Sequence, residues 1–187
     1  MRNPFSIVFL LSFCIFAFQT SQGQSNRLAG GVELDALPYI TGGYYGGVWI
    51  GKSHLRGRAL VARVYKPSFI IPDGFTNNTV TAYALVGDYF LKEDWKGWWI
   101  SGGMVLWQSS IQSDLQLSTV SYDNVLLHGS IGFNWKFGRQ FYISPWAGMN
   151  IRVGGAQTVT VDGKSFYTLI VNPEASLKIG WYFMRNK

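Results

Sequence analysis

Cysteine is all but missing from this chain of 187 residues: the single copy, Cys14, sits in the apolar stretch at the N-terminus. The remainder has no disulfide, no thiol nucleophile and no cysteine-ligated metal. Histidine is almost as scarce. His54 and His128, far apart in sequence, give a metal site little to be built from. Charged residues make up only 14% of the chain, and its net charge of +6 is spread along it. Without a dense basic run, nucleic acid is not an expected partner, whereas a diffuse positive excess suits anionic lipid headgroups. Glycine-rich stretches such as GGYYGG at 42–47 lack the strand-to-helix setting of a nucleotide-binding loop, so no cofactor is expected. Helical repeats, coiled-coil heptads and signs of a second domain are also lacking.

Long apolar runs end early. Arg2 is followed by an apolar run from Phe5 to Phe18, then by small or polar residues up to Gly23. That is the pattern of a cleaved secretory signal over residues 1–23, because about 14 apolar residues are too few to span a bilayer comfortably. Residues 24–187 then form one domain of 187 − 23 = 164 residues, with 15 basic and 10 acidic side chains once Arg2 is removed.

What the chain does have is alternation. Residues 123–137, DNVLLHGSIGFNWKF, put Val125, Leu127, Ile131, Phe133, Trp135 and Phe137 on one face of a strand and Asn124, His128, Ser130, Asn134 and Lys136 on the other. Residues 140–153 repeat the pattern, with Phe141, Ile143, Met149 and Ile151 opposite Ser144, Asn150 and Arg152. In residues 165–183, Tyr167, Val171, Leu177, Ile179, Trp181 and Phe183 oppose Thr168, Asn172, Glu174 and Lys178. The parity is unbroken across Asn172-Pro173, which predicts one long strand. Proline cannot donate to a ladder and a closed barrel has no edge to hide it, so a bulge is expected at Pro173. Weaker alternation marks further strands at 27–34, 39–51, 58–66, 79–91 and 97–108, with Asp35 to Pro38 turning the chain after the first.

Short connections fall at 52–57, 92–96 and 138–139, and longer ones at 67–78, 109–122 and 154–164. Eight crossings with the short turns at one rim return both chain ends to that rim. Trp95, Trp98, Trp135, Trp181 and Phe183 crowd the same rim, as an aromatic girdle at a membrane interface does. The expected fold is all-β: a closed antiparallel transmembrane β-barrel of eight strands, with short periplasmic turns and longer outer loops. A soluble calyx, its apolar face turned inward, would have no use for an aromatic rim.

With the strands 123–137, 140–153 and 165–183 and the aromatic-rich end Leu177 to Phe183, the chain resembles small eight-stranded bacterial outer-membrane β-barrel proteins. The resemblance spans essentially all of residues 24–187. It implies a monomer in the outer membrane, with outer-membrane lipid around it and the barrel-assembly machinery as its partner during insertion. In that class the closing strand ends on an aromatic residue that the machinery recognises. Phe183 matches that residue, although Met184, Arg185, Asn186 and Lys187 follow it. Such barrels include anchors, receptors, narrow pores and lipid-modifying enzymes, so fold does not choose function. The expected role is structural, or an interaction through the outer loops; a narrow pore and a lipid-modifying enzyme stand as alternatives.

By parity, the expected lumenal polar network contains Arg63, Asp88, His128, Ser130, Asn134, Lys136, Asn150, Arg152, Glu174 and Lys178. The catalytic alternative has His128 act on the Ser130 hydroxyl, with Asp88 or Glu174 orienting the imidazole. No metal site is expected. KSHLRGR at 52–58 reads either as a solvated basic turn or as a phosphate-binding patch of Lys52, His54, Arg56 and Arg58.

Overall fold

The computed structural model describes residues 28–138 and 140–185. Residues 1–27, which include the predicted leader and Arg27 of the first expected strand, lie outside the described residues, as do Arg139 and the last two residues. Eight strands close into one antiparallel barrel: β1 (Ala29–Asp35), β2 (Tyr44–Lys52), β3 (Leu55–Tyr65), β4 (Phe75–Phe90), β5 (Gly97–Ser113), β6 (Thr119–Phe137), β7 (Phe141–Gly155) and, after a short hairpin, β10 (Val171–Arg185). Around the ring the order is β1-β10-β7-β6-β5-β4-β3-β2. The hairpin is β8 (Thr158–Val161) with β9 (Lys164–Tyr167).

Alternation decides which side chains meet the surroundings. Leu127, Ile131 and Trp135 of β6, Met149 and Ile151 of β7, and Leu177, Ile179 and Trp181 of β10 are exposed on the outer wall. Asn134, Asn150 and Lys178, on the opposite parity, are buried in the bore. An outward apolar wall over a bore lined with charge is what a membrane barrel needs, since backbone groups are satisfied by closure and the outside meets hydrocarbon.

The structure differs from the sequence reading at several elements. Residues 39–43 are not strand. The Asp35 carboxylate accepts from the Leu37 backbone N–H and starts a helical turn, α1 (Ala36–Ile40), so β2 begins only at Tyr44. Residues 165–183 are not one strand either: 164–167 pair with 158–161, and β10 starts at Val171. Two of the long connections are shorter than expected, because β4, β5 and β6 run on past the bore, whereas the third, 156–170, is longer and holds the hairpin. Between β5 and β6 only residues 114–118 remain. Those extensions and the hairpin share a small core of Ile111, Tyr122, Val159, Val161 and Phe166. At the tip of this cap, Lys164 donates to Asp114 and holds that carboxyl below its ordinary range.

Pro173 pairs with Met149 without a shift of register, so there is no bulge. The N–H groups of Arg152 and Tyr182 donate to the carbonyls of Ile170 and Gln140. Bonded pairs alternate in an antiparallel ladder, so even residues of β10 point their N–H groups at β7 and odd ones point away. On that other side β1 has already ended, at Asp35 opposite Lys178. The Pro173 nitrogen therefore faces a gap in the wall and costs no ladder bond.

Candidate functional site

The bore is built in layers. At the short-turn end, Trp49, Phe90, Trp95, Trp99, Tyr142 and Tyr182 form one buried aromatic cluster. Trp49 meets Trp95 edge-on at 5.5 Å, and Trp95 stacks on Tyr182 at 6.0 Å. Glycine makes the room for these rings. A Cβ on Gly132 would lie 2.3 Å from the Trp99 ring, and one on Gly180 would lie 2.0 Å from that of Tyr142. Trp95 arrives from the turn between β4 and β5 with φ of 57°, and Asn134 Nδ2 donates to its carbonyl oxygen at 2.7 Å.

Directly above sits a charge cluster. The Arg56 Nε donates to Asp88 Oδ2 at 2.6 Å, while Arg58 Nη2 reaches Asp88 Oδ1 and its Nη1 reaches Glu33 Oε1, both at 2.7 Å. The hydroxyls of Tyr142 and Tyr45 donate to the two Glu33 oxygens at 2.8 and 2.9 Å. Two guanidiniums against two carboxylates leave no net charge, which is how four ionised groups can be held out of water. Arg56 also lies 5.0 Å above the Phe90 ring, so it ties this layer to the aromatic one. The Lys178 Nζ borders the layer without an ion pair of its own in it, 4.2 Å from the Trp146 ring and 5.1 Å from that of Trp99.

A polar relay lies on the β6–β7 side. His128 Nδ1 is 2.9 Å from Asn150 Oδ1, and its Nε2 is 2.9 Å from Ser130 Oγ. An amide oxygen only accepts, so the neutral imidazole carries its proton on Nδ1 and Nε2 accepts from the Ser130 hydroxyl. Ser101 Oγ, 2.6 Å from Ser130 Oγ, is then the donor of that pair. Ser130 is paired on both sides, to Ser101 of β5 and Gly148 of β7, so the amides around it belong to the ladders.

Above the relay the wall turns apolar, with Val80, Ala84, Val86, Val105, Trp107 and Leu126 in one buried cluster. Except for Leu126, which lines a vestibule under the long loops, they border a cavity of about 140 Å³ that shares Lys66 and Trp107 with that vestibule; Asp35, Arg58, His128, Asn150, Glu174 and Lys178 border it too.

The sequence-derived candidates fall as follows. Asp88, Lys178, Asn134, Asn150, His128, Ser130, Arg152 and Glu174 are on inward positions, with Asp88 and Lys178 in the charge layer, and Asn150, His128 and Glu174 lining the cavity. Arg63 is not lumenal. It pairs with Tyr44 and Thr81, whose neighbours Tyr45 and Val80 point in, so Arg63 points outward. Trp98, Trp135, Trp181 and Phe183 are exposed on the outer wall, but Trp95 is buried inside the mouth and is no part of the girdle. In KSHLRGR, Arg56 and Arg58 are neither solvated nor on a lipid-facing patch, because the hairpin turns at Ser53-His54 and both arginines enter the bore. Asp88 is committed to them and does not orient His128; Asn150 does. Glu33, Tyr45 and Tyr142 do not stand out in the sequence, and nothing in it puts Arg56 and Arg58 in the bore.

No protein-family model matches the chain, and no curated protein matches it in sequence. Its fold does match solved structures. The N-terminal β-barrel domain of Pseudomonas aeruginosa OprF superposes with a TM-score of 0.56 at 13% identity, over 87% of this chain and all of that one. Neisserial surface protein A superposes with a TM-score of 0.53 at 11% identity, again over 87% of this chain and all of that one. The chain thus has the fold of a small eight-stranded outer-membrane barrel.

Proposed function

We propose that the protein is an integral, non-conducting barrel of a bacterial outer membrane, with its folded long-loop end offered to partners outside the cell. The observation that carries this reading is the closure of the bore. The Glu33–Arg56–Arg58–Asp88 cluster rests on a layer of six packed aromatic rings, and an ion would have to break both to pass. The likeness in fold to the two outer-membrane barrels supports the location. The cap on β5, β6 and the β8–β9 hairpin supports an outward role, since it has its own core and leaves Leu117, Tyr167 and Leu169 exposed. Insertion by the barrel-assembly machinery, with Phe183 as the terminal aromatic it reads, fits the same picture. Reconstituted in a planar bilayer, the protein should give no stable current steps. Steps that persist in the wild-type protein would overturn the reading.

The Ser130–His128–Asn150 relay favours a second reading, an acyl hydrolase, because it has the nucleophile, base and orienting group in hydrogen-bond contact. What speaks against it is the lack of a donor for the oxyanion, the amides around Ser130 being spent in the ladders. A fluorophosphonate probe should leave Ser130 unlabelled. Labelling that disappears in both Ser130→Ala and His128→Ala would establish the hydrolase instead.

A further inference from the structure

The cavity above the charge cluster is walled by Leu60, Ala62, Val80, Ala84, Val105 and Trp107. Its volume, about 140 Å³, is close to that of an apolar cavity known to stay dry and take a benzene-sized molecule, roughly 150 Å³. Asp35, Arg58, His128 and Asn150 border it as well, with polar atoms engaged by neighbouring side chains, so the surface left to a ligand is mainly apolar and a hydrocarbon of a few carbons fits.

Two further observations say what kind of hydrocarbon. First, the vestibule over the cavity is lined by Lys66 and Arg152 and by no carboxylate. Within it Arg152 Nε, a donor to which an anion can pair, is buried without a protein partner, although buried polar groups are nearly always satisfied; Asn78 Oδ1 and Asn124 Oδ1 are orphaned too, but as acceptors they take a hydroxyl or water and not an anion. Second, the wall beside the cavity is incomplete. With β1 ended at Asp35, residues 171–177 of β10 have no strand on that side. The space is spanned by α1 alone, which turns Leu37 and Pro38 to the cavity and leaves Ile40 exposed. Its Leu37 N–H is held by Ser176 Oγ at 3.0 Å. One helical turn thus separates an apolar cavity from the hydrocarbon outside.

We propose that this cavity binds the alkyl tail of a single-chain anionic amphiphile, which reaches it through the wall past α1 and leaves its charged head in the vestibule with Lys66 and Arg152. The volume admits one short chain and not two. Arg152, together with Lys66, whose charge Glu174 offsets only from the cavity side, favours an anionic head, a carboxylate or a phosphate. Glu174 in the cavity wall is engaged by Asn150, and would favour a cationic head only if one came down into the cavity. The inference is separate from non-conduction and is read by a different experiment.

The barrel is refolded into nanodiscs of saturated phosphatidylcholine and titrated with alkyl carboxylates of increasing length, with bound adducts counted by native mass spectrometry. One saturable adduct per barrel is expected, its affinity rising about fourfold per methylene until the cavity is full and then levelling off. Ala84→Phe, checked for folding by its heat-modifiable gel mobility, should abolish the adduct; if it does not fold, Ala62→Leu makes the same test. Lys66→Gln with Arg152→Gln should weaken the carboxylates at least tenfold and leave the alkanol of equal length unchanged. Two sources are told apart by adding laurate from water or building lysophosphatidylglycerol into the disc, and saturable uptake of either supports the site. Oxidising a Leu37→Cys, Ser176→Cys pair should slow uptake from the disc, and reduction should restore it. Undiminished binding in the filled variant, equal binding of dodecylamine, or uptake unaffected by the closed disulfide would overturn the proposal.

Discussion

At the scale of single residues, the most consequential side chains are those that must not lose a partner. Asp88 accepts from both Arg56 and Arg58 and is almost wholly buried, so removing its charge strands two guanidiniums in the bore. Asp88→Asn should cost about 3–5 kcal/mol of folding free energy, measured by urea unfolding in lipid vesicles; a cost under about 1 kcal/mol would mean that the cluster is hydrated and open. Glycine is the other constraint. Gly132→Ala pushes a methyl group into the Trp99 ring and should destabilise by about 1–3 kcal/mol, with Trp99 displaced. The residues that the sequence concealed share one cause. In β3 Leu60, Val61, Ala62 and Val64 are apolar on both parities, because the bore is itself apolar there. Alternation then carries no phase, so the sequence alone puts Arg63 inside and Arg56 and Arg58 in the turn. Where the bore is polar, along β6, β7 and β10, the inward residues from His128 to Lys178 could be read directly.

At the scale of elements, β1 is short and its end shapes one side of the wall. Stopping at Asp35, it leaves residues 171–177 of β10 without a strand on that side, and Pro173 sits with its nitrogen toward that space. Pro173→Ala should therefore change stability by no more than about 0.5 kcal/mol. Asn172→Pro removes an N–H that points at β7 and should cost at least about 1 kcal/mol, in the same unfolding assay. Equal effects at the two positions would contradict the assigned bond pattern. The proline was visible in the sequence as an anomaly in an otherwise regular strand. Its explanation was not, because the gap arises from the length of a strand distant by more than a hundred residues. The same is true of 164–167, whose parity continues that of β10 although the two belong to different sheets. Periodicity reports which way a side chain points and says nothing of which strand lies next to it.

At the scale of the whole molecule, one arrangement accounts for the outer wall, the sealed bore and the cap: a closed barrel inverted relative to a soluble protein, with hydrocarbon as its solvent. An arginine at Ile131, exposed near the middle of β6, should cost about 2–4 kcal/mol in bilayers, and an arginine at Phe137 near the rim far less. The most direct measurement is cysteine scanning of residues 125–135 in membranes with a lipid-soluble and a water-soluble thiol reagent, the single native cysteine lying within the predicted leader. The account predicts that Val125, Leu127, Gly129, Ile131, Phe133 and Trp135 positions react with the lipid-soluble reagent and that the even positions between them resist it. Odd and even positions that label alike would contradict it, and the membrane barrel would have to be given up.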